Sequence, residues 1–312
     1  MTATFHPDRL RASLSLLNET CAPCQQGAAY QRFYGLDLPG SAVRFDTLLG
    51  RFEAEGFELV CQVWLPRQPR GTLFLLHGFY DHMGLFRHVI AWALGCGLAV
   101  VSCDLPGHGL SSGPRASIRH FGHYQSTLDG LFAQAQALGL PRPWHALGQS
   151  TGGAILIDHA LHKGSSSPVD GRLMLLAPLV RPRAWGWSQL SYHVLSPFVD
   201  GIARRFSENS NDPAFLPFLQ ADPLQPLRLP TAWVGALVEW VRRIEAAPAC
   251  TLTPLIVQGE QDMTVDWRHN LQVLERKFKQ PEVLRLPPAR HHLANEADYI
   301  RAQYLPFLEQ YF

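Results

Sequence analysis

A short segment in the middle of the chain, Gly148-Gln149-Ser150-Thr151-Gly152, restricts the fold more than any other part of the sequence. An apolar run at 144–147 precedes it, and an apolar stretch that begins with small residues, 153–161, follows. Glycines two positions before and after a serine remove the Cβ atoms that collide in a sharp turn from strand to helix. The segment therefore predicts a buried strand, a tight turn that exposes Ser150, and a helix whose positive end faces the serine.

Short apolar runs alternate with amphipathic stretches along most of the chain. Strands buried on both faces are predicted at 72–76, 98–103, 172–177, 252–258 and 282–286. Helical spacing of apolar residues occurs at 85–94, 118–138, 270–279 and 298–311. This alternation is typical of a doubly wound, mostly parallel α/β sheet. Two further runs, 43–50 and 57–65, predict an antiparallel hairpin at the sheet edge, with its turn near Glu55 and Gly56.

Residues 179–250 interrupt the alternation and predict an inserted segment. They lack a clean buried strand and contain many prolines and four tryptophans: Trp185, Trp187, Trp233 and Trp240. The segment is too long for a simple connection and too apolar for a disordered linker. We predict a mostly helical lid that covers the carboxyl ends of the strands. The α/β core then consists of 41–178 and 251–312, and 1–40 form a helical N-terminal extension.

Composition and charge exclude several classes of protein. With 27 Lys and Arg against 26 Asp and Glu, the chain has no basic surplus for nucleic acid, which is not an expected partner. No apolar run of 18 residues predicts a spanning helix, and 1–17 do not resemble a secretory signal, so we expect a soluble, cytoplasmic protein. A single C-x-x-C pair, Cys21 and Cys24, does not complete a four-ligand zinc site, and both are expected to be reduced.

Side chains that can activate Ser150 follow the last two predicted strands. A serine hydroxyl needs a general base, usually His, and an acid that orients the base. After an α/β strand–turn–helix of this kind the acid comes next in the chain and the histidine last. The acid candidates are Asp262 and its competitors Asp266 and Glu260, and the base candidates are His291 and its neighbour His292.

Backbone N–H groups that stabilise a negative oxygen are predicted at two positions. One belongs to Thr151, the residue after the serine, and the second to Phe79, in the loop that follows the strand at 72–76. Gly78 lets that loop turn inward. No metal-ligand cluster and no phosphate-binding glycine loop is visible in the sequence, so neither a metal nor a cofactor is expected.

Four segments resemble the monoacylglycerol lipase and lysophospholipase branch of the α/β-hydrolases, which are hydrolases of the serine aminopeptidase S33 type. Residues 77–82 resemble its HG-x-x-E/D-H segment, 104–111 its D-x-x-G-H-G-x-S loop, 148–153 its G-H-S-M-G-G turn, and 289–296 its A-R-H-E-L-x-N-E segment. The resemblance covers roughly 45–310. The chain departs from it in having Gln149 for His, Thr151 for Met and Phe79 for a smaller residue.

The resemblance implies roles for individual residues. It places the catalytic histidine at His291, with His292 in place of a glutamate, and the acid at Asp262. It places the oxyanion donors at Phe79 and Thr151. It gives Asp104 and His108, by contrast, a structural role.

The resemblance also implies a function. We expect a serine hydrolase of carboxylic esters that acts on a monoacylglycerol or a lysophospholipid, whose acyl chain the aromatic lid buries. Transient contact of the lid with a membrane surface fits such a substrate. The alternatives are a prolyl-type aminopeptidase, a thioesterase, and a non-catalytic binding protein on the same fold. An aminopeptidase needs an acidic side chain for the amino end of its substrate, for which Glu208, Asp212 and Glu239 are candidates.

Overall fold

The computed structural model describes residues 5–312, without the side chain of Leu195; residues 1–4 of the predicted extension lie outside the described part. The strands in the described part are β1 (Phe45–Ala54), β2 (Phe57–Pro66), β3 (Thr72–Leu76), β4 (Ala99–Cys103), β5 (Trp144–Gln149), β6 (Leu173–Leu176), β7 (Gly201–Ala203), β8 (Arg228–Pro230), β9 (Leu255–Gly259) and β10 (Glu282–Leu286). The α-helices are α1 (Pro7–Ser13), α2 (Gln25–Tyr34), α3 (Arg87–Gly95), α4 (Gly122–Ala137), α5 (Thr151–Lys163), α6 (Trp185–Leu195), α7 (Phe215–Ala221), α8 (Thr231–Ala246), α9 (Trp267–Lys277) and α10 (Asp298–Glu309). Among the described residues, none of these helices combines the length and the apolar character needed to cross a membrane.

Eight strands form one sheet in the order β1-β2-β4-β3-β5-β6-β9-β10. β2 pairs antiparallel with β1 and with β4, and every other neighbouring pair is parallel. The predicted α/β class with a mostly parallel sheet is thereby confirmed. The edge hairpin turns at Glu55 and Gly56, which both have positive φ, as a two-residue hairpin loop requires.

Apolar side chains of the central strands alternate between two cores, one on each face of the sheet. In β3, Phe74 and Leu76 pack into one core, while Leu73 and Leu75 pack into the other. Helices α4, α5, α8 and α9 contribute to the first core, and α2, α3 and α10 contribute to the second. Because helices cover both faces, the central strands are apolar on both sides, which is the property that predicted a doubly wound sheet.

Residues 179–250 connect β6 to its neighbour β9 and contain α6, α7, α8 and a hairpin of β7 and β8. The side chains of α8 that are buried on one helical face belong to Trp233, Leu237, Trp240, Val241 and Ile244. Their spacing matches the helical period, and they anchor the segment to the core of the sheet. The hairpin was not predicted, because strands of three largely exposed residues produce no period in the sequence.

The N-terminal residues lie against the edge of the sheet. The backbone of Leu16 forms a bridge with Arg51 of β1, and α2 ends at Gly35, whose φ of 66° terminates the helix. The hydroxyl of Tyr34, at the end of α2, donates to Asp222 Oδ1 at 2.6 Å. The N-terminal residues therefore contact both β1 and the segment 179–250.

Candidate active site

Ser150 lies at the turn between β5 and α5, at the carboxyl end of its strand. Its backbone has φ 52° and ψ −111°, a conformation that costs free energy for a residue with a side chain. Two glycines leave room for the turn. A Cβ on Gly148 would lie 2.3 Å from the carbonyl carbon of Gly152, and a Cβ on Gly152 would lie 2.2 Å from the carbonyl oxygen of Leu76. The sharp turn predicted from the sequence is therefore packed too tightly for larger residues at either glycine.

The serine hydroxyl begins a hydrogen-bonded series of three side chains. Ser150 Oγ lies 3.0 Å from His291 Nε2, and His291 Nδ1 lies 2.7 Å from Asp262 Oδ2. All three residues are buried, with exposed fractions of 7%, 5% and 4%. A neutral imidazole that donates from Nδ1 to Asp262 leaves Nε2 free to accept the proton of the serine.

The competing acids and the second histidine are held in other contacts. Asp266 is the N-cap of α9 and accepts a backbone hydrogen bond there. Glu260 forms an ion pair with an arginine of β10 at 2.7 Å. His292 Nε2 lies 3.0 Å from Asp81 Oδ2. The structure therefore places Asp262 and His291 in contact with each other and with the serine. The competing acids and His292 are bound to other groups.

The acid and the histidine stabilise each other's charged forms. Burial lowers the pKa of His291, but the charge and hydrogen bond of Asp262 outweigh burial, so the pKa lies above its ordinary 6.5. Burial raises the pKa of Asp262, but His291 and the backbone N–H groups of Thr264 and Val265 outweigh it, so this pKa is lowered. Those two N–H groups donate to Oδ1 at 2.8 and 3.1 Å. Asp262 is therefore a carboxylate at neutral pH and favours protonation of the imidazole.

Two backbone N–H groups beside Ser150 have no hydrogen-bond acceptor among residues 5–312: those of Phe79 and Thr151. The loop of Phe79 lies close to the serine, because a Cβ on Gly78 would be 3.4 Å from Ser150 Cβ. Thr151 is the first residue of α5, where N–H groups lack an intrahelical partner and the helix dipole favours negative charge. The Thr151 hydroxyl is also buried, and it has no hydrogen-bond partner among residues 5–312. Free donors of this kind can stabilise a negatively charged oxygen.

Ser150 opens into a cavity of about 300 Å³ with a mixed lining. Its apolar lining residues include Leu179, Pro182, Leu229 and Trp233. Its polar and charged lining residues are Asp81, Arg204, Arg205, Ser207, Asn209 and His292, besides others close to Ser150 itself. A ligand bound at Ser150 would thus have both apolar and charged side chains within the same cavity.

A second cavity, of about 340 Å³, adjoins the first at Pro182 and Leu229 and is lined mainly by α6, the β7–β8 hairpin and α8. Trp233 lines both cavities. Its ring stacks on Phe79 with centroids 3.7 Å apart, and its indole N–H donates to the hydroxyl of Tyr124 at 3.1 Å. Trp233 is therefore held in place where the two cavities meet.

The contacts of several side chains of the site were not predicted from the sequence. Gln149 is fully buried and accepts a hydrogen bond from the N–H of Ala294 at 2.9 Å, which joins the serine turn to the loop of the histidine. Burial raises the pKa of Asp81, but the contact with His292 lowers it by more than burial raises it. The pKa of Asp81 is therefore about 2. Arg204 extends into the cavity from the residue after β7. Each contact joins segments far apart in the chain, so no local pattern indicates it.

A cluster of ligand-type side chains lies outside this cavity. Glu55, His120 and His123 place candidate metal-ligand atoms within 4.8 Å of one another, near the turn between β1 and β2. Two of the three residues are exposed, and none of them lines the cavity of Ser150. The chemistry at the serine is therefore independent of this cluster.

Comparisons with known proteins agree with the fold and with the sequence motifs. The family model described as serine aminopeptidase, S33, matches residues 67–298. The monoacylglycerol lipase of Mycolicibacterium smegmatis is 27% identical over 257 residues, which cover 76% of this chain and 86% of that protein. The monoglyceride lipase of Homo sapiens is 26% identical over 254 residues, which cover 78% of this chain and 82% of that protein.

A solved structure shows the same fold at lower identity. It is a soluble variant of monoglyceride lipase from Saccharomyces cerevisiae in complex with a substrate analog, with a TM-score of 0.71 and 18% identity. The match covers 84% of this chain and 94% of that one. Because the family match spans most of the sequence, the chain belongs to the serine aminopeptidase S33 family, in the monoacylglycerol lipase-like branch of the α/β-hydrolases.

Proposed function

We propose that this α/β-hydrolase cleaves carboxylic esters with Ser150 as the nucleophile. The observation that carries the proposal is the contact series from Ser150 Oγ to His291 Nε2 and from His291 Nδ1 to Asp262, at 3.0 and 2.7 Å. A serine hydroxyl is a weak nucleophile, and a base within hydrogen-bond distance activates it. In this proposal His291 is the general base and acid, and Asp262 orients it and stabilises its protonated form.

The reaction proceeds through an acyl-enzyme. His291 Nε2 takes the proton of Ser150 Oγ as that oxygen attacks the ester carbonyl carbon. The carbonyl oxygen becomes negative and accepts hydrogen bonds from the N–H groups of Phe79 and Thr151. His291 then gives its proton to the departing alcohol oxygen, and the acyl group stays on the serine. A water molecule deprotonated by His291 attacks this ester, and the carboxylic acid leaves as the proton returns to Ser150.

The cavities favour substrates with an acyl chain of some length. We place the acyl chain against the apolar side chains of this cavity and in the second cavity, where each buried methylene contributes about 0.8 kcal/mol. The activities named for the relatives, monoacylglycerol lipase and monoglyceride lipase, support an ester of glycerol. A monoacylglycerol or a lysophospholipid, each with one acyl chain and a polar alcohol part, matches the mixed lining of the cavity.

A series of p-nitrophenyl esters tests this substrate assignment. We expect kcat/KM to rise from the acetate to medium-chain esters, and no hydrolysis by Ser150→Ala. Val234→Trp, which fills the second cavity, should remove the preference for longer chains and keep activity on the acetate. Ala302→Trp, at an exposed position of α10 that lines neither cavity, is the control and should behave as the wild type. A steady fall in activity from the acetate upward would contradict the assignment.

We further propose that residues 179–250 form a lid over the core of 41–178 and 251–312. Large apolar side chains of this segment are exposed: Trp187 by 73%, Leu190 by 55%, Val194 by 56% and Phe198 by 82%. The first three recur at helical spacing on α6 and therefore share one face. Exposed apolar patches mark binding surfaces. In this proposal the patch makes transient contact with the lipid surface that presents the substrate.

The family description also raises the possibility of aminopeptidase activity. An aminopeptidase needs an acidic group near the serine to hold the substrate's ammonium group, but the three acids considered from the sequence do not line the cavity. Glu208 pairs with an arginine at 3.0 Å, Asp212 accepts from a backbone N–H, and Glu239 lies in a separate groove. We therefore expect ester hydrolysis to exceed naphthylamine release from Pro-β-naphthylamide, and the reverse order would favour the peptidase.

A further inference from the structure

Arg204 is a cation fixed in the wall of the cavity that contains Ser150. Its Nη1 donates to Gln225 Oε1 at 2.6 Å and to the carbonyl oxygen of Pro226 at 3.2 Å. Its guanidinium carbon lies 4.1 Å from the ring centroid of Tyr80 and 4.3 Å from that of Phe206. Two acceptors and two aromatic rings therefore hold the guanidinium in one place.

Arg204 forms no ion pair within the described part of the chain. Among residues 5–312, no carboxylate oxygen lies within 4.0 Å of the guanidinium nitrogens of Arg204, and its Nε and Nη2 groups donate no hydrogen bond. Burial lowers the pKa of Arg204, and the charges of Asp81 and Asp222 offset only part of this effect. Asp81 itself is bound to His292. A half-buried charge without a partner is unfavourable unless a ligand supplies the opposite charge.

The position of Arg204 indicates which part of the substrate it meets. Pro182, Leu229 and Trp233 line both this cavity and the second, aromatic cavity, where the acyl chain is placed. Arg204 and Arg205 line the cavity of Ser150 but not the second cavity, so we place the alcohol part of the ester beside them. The carboxylate that lines the cavity with them, Asp81, is already bound to His292. A guanidinium binds phosphate in a two-pronged geometry, and a neutral glycerol offers it no charge.

We propose that Arg204 forms an anion subsite that binds a phosphate on the alcohol part of the substrate, so that the preferred ester is a lysophospholipid rather than a monoacylglycerol. This inference rests on the proposed ester hydrolysis at Ser150. It assigns Arg204 to substrate selection and gives it no part in proton transfer. Arg205, which is exposed, adds positive charge at the same side.

Two substrates with the same medium-length acyl chain test the subsite: a 1-acylglycerol 3-phosphate and the corresponding 1-monoacylglycerol, both below their micelle concentrations. We expect a higher kcat/KM for the phosphate ester. Arg204→Gln should lower that value about 10- to 100-fold, the effect of losing charge-assisted hydrogen bonds, and should change the neutral ester less than about threefold. Arg204→Lys should restore part of the loss. An equal fall for both esters would show that Arg204 only supports the hairpin, which overturns the subsite.

Arg228→Gln is the matched control for this experiment. Arg228 lies on the same hairpin, pairs with the exposed Asp200 at 2.7 Å, and does not line the cavity. We expect it to leave the ratio of the two kcat/KM values unchanged. The same loss of selectivity in this variant would assign the effect to the net charge of the hairpin and overturn the role of Arg204.

A binding measurement separates failure of the subsite from failure of the proposed function. Glycerol 3-phosphate should raise the melting temperature of the Ser150→Ala protein more than glycerol does, and Arg204→Gln in that background should abolish the difference. If no ester is hydrolysed but this difference is present, the subsite stands and the ester hydrolysis fails. If inorganic phosphate stabilises the protein as much as glycerol 3-phosphate does, the site takes free phosphate and the proposal is overturned.

Discussion

The chemistry at the residue scale depends on the protonation state of one histidine. As a base His291 must be neutral, and Asp262 raises the pKa of the imidazole above 6.5 despite burial. Activity is therefore expected to fall as the pH drops through that raised pKa. The same carboxylate stabilises the imidazolium when the serine loses its proton.

Asp262→Asn tests both effects of this carboxylate. We expect kcat to fall by about 10⁴-fold, as for a triad with the wrong histidine tautomer, and the acidic midpoint of the pH profile of kcat/KM to move to lower pH. The pH profile on a p-nitrophenyl ester measures both. Asp266→Asn is the control, because Asp266 caps α9 and does not contact the histidine. Comparable losses in the two variants would contradict the assignment of the acid.

Site residues that follow a predicted strand could be identified from the sequence. The contacts of the other site residues could not be predicted from it. Ser150, Asp262 and His291 each lie at the carboxyl end of a predicted strand, and the structure places them in contact; their catalytic roles stay a prediction. Arg204 follows a three-residue strand that has no period. Gln149 bonds to a residue 145 positions away. Long-range partners of this kind leave no local signal in the sequence.

At the scale of the elements, the bounds of a strand or helix could be predicted where the run of apolar residues in the sequence has a clear end. β3 and β10 have the predicted bounds, because each run ends abruptly in a loop or turn. The prediction that 282–286 are buried on both faces is wrong, because β10 is an edge strand in which Glu282 and Arg285 are exposed. α4 begins at Gly122 rather than 118, because the buried residues Ile118 and Phe121 precede the helix in a turn. Apolar residues alone thus indicate burial and do not mark where the helix begins.

The exposed apolar side chains of α6 and of the residues just after it carry a prediction at the scale of an element. Leu190→Ser combined with Phe198→Ser should reduce activity on acyl esters in lipid vesicles several-fold, because these side chains are 55% and 82% exposed, line neither cavity and are available to the lipid. Activity on a soluble short-chain ester should be unchanged. Tyr299→Ser, an exposed aromatic residue on α10, is the control. Equal losses on both substrates would show that the two residues serve the folded structure instead.

At the scale of the whole molecule, one buried network joins the N-terminal residues, the core and the segment 179–250. Tyr34 from α2 donates to Asp222 at 2.6 Å, and His82 from the core lies 2.8 Å from the same carboxylate. Tyr34 and Asp222 are 188 positions apart, so no local sequence pattern indicates this contact. The N-terminal residues therefore help to hold α7 in place.

The charges of this network make its contribution to stability pH-dependent. Burial lowers the pKa of His82, but Asp222 raises it more, so the pKa lies above 6.5 in the folded state. The contribution of His82 to the stability of the folded state is therefore fully present below pH 6.5 and is lost as the pH rises through the folded-state pKa of His82. Burial raises the pKa of Asp222, but His82 and Tyr34 lower it by more, so the pKa of Asp222 lies below its ordinary 3.8. The contribution of Asp222 to stability is present above pH 3.8 and is lost as the pH falls from 3.8 through the folded-state pKa of Asp222.

Tyr34→Phe tests the network. We expect the free energy of unfolding, measured by urea denaturation at neutral pH, to fall by about 1–3 kcal/mol, because a buried carboxylate loses a hydrogen bond. Tyr311→Phe removes a similar bond to Glu282 at the surface and should cost less than about 0.5 kcal/mol. Equal stability changes in the two variants would contradict a structural role for the buried network.

The central claim is that His291 activates Ser150 as a nucleophile. Labelling of the purified protein with a fluorophosphonate, followed by intact-mass and peptide mass spectrometry, tests it directly. The account predicts one adduct on Ser150 in the wild type, none in Ser150→Ala, and strongly slowed labelling in His291→Ala. An unlabelled but folded wild type, or an adduct on a different residue, would contradict the claim.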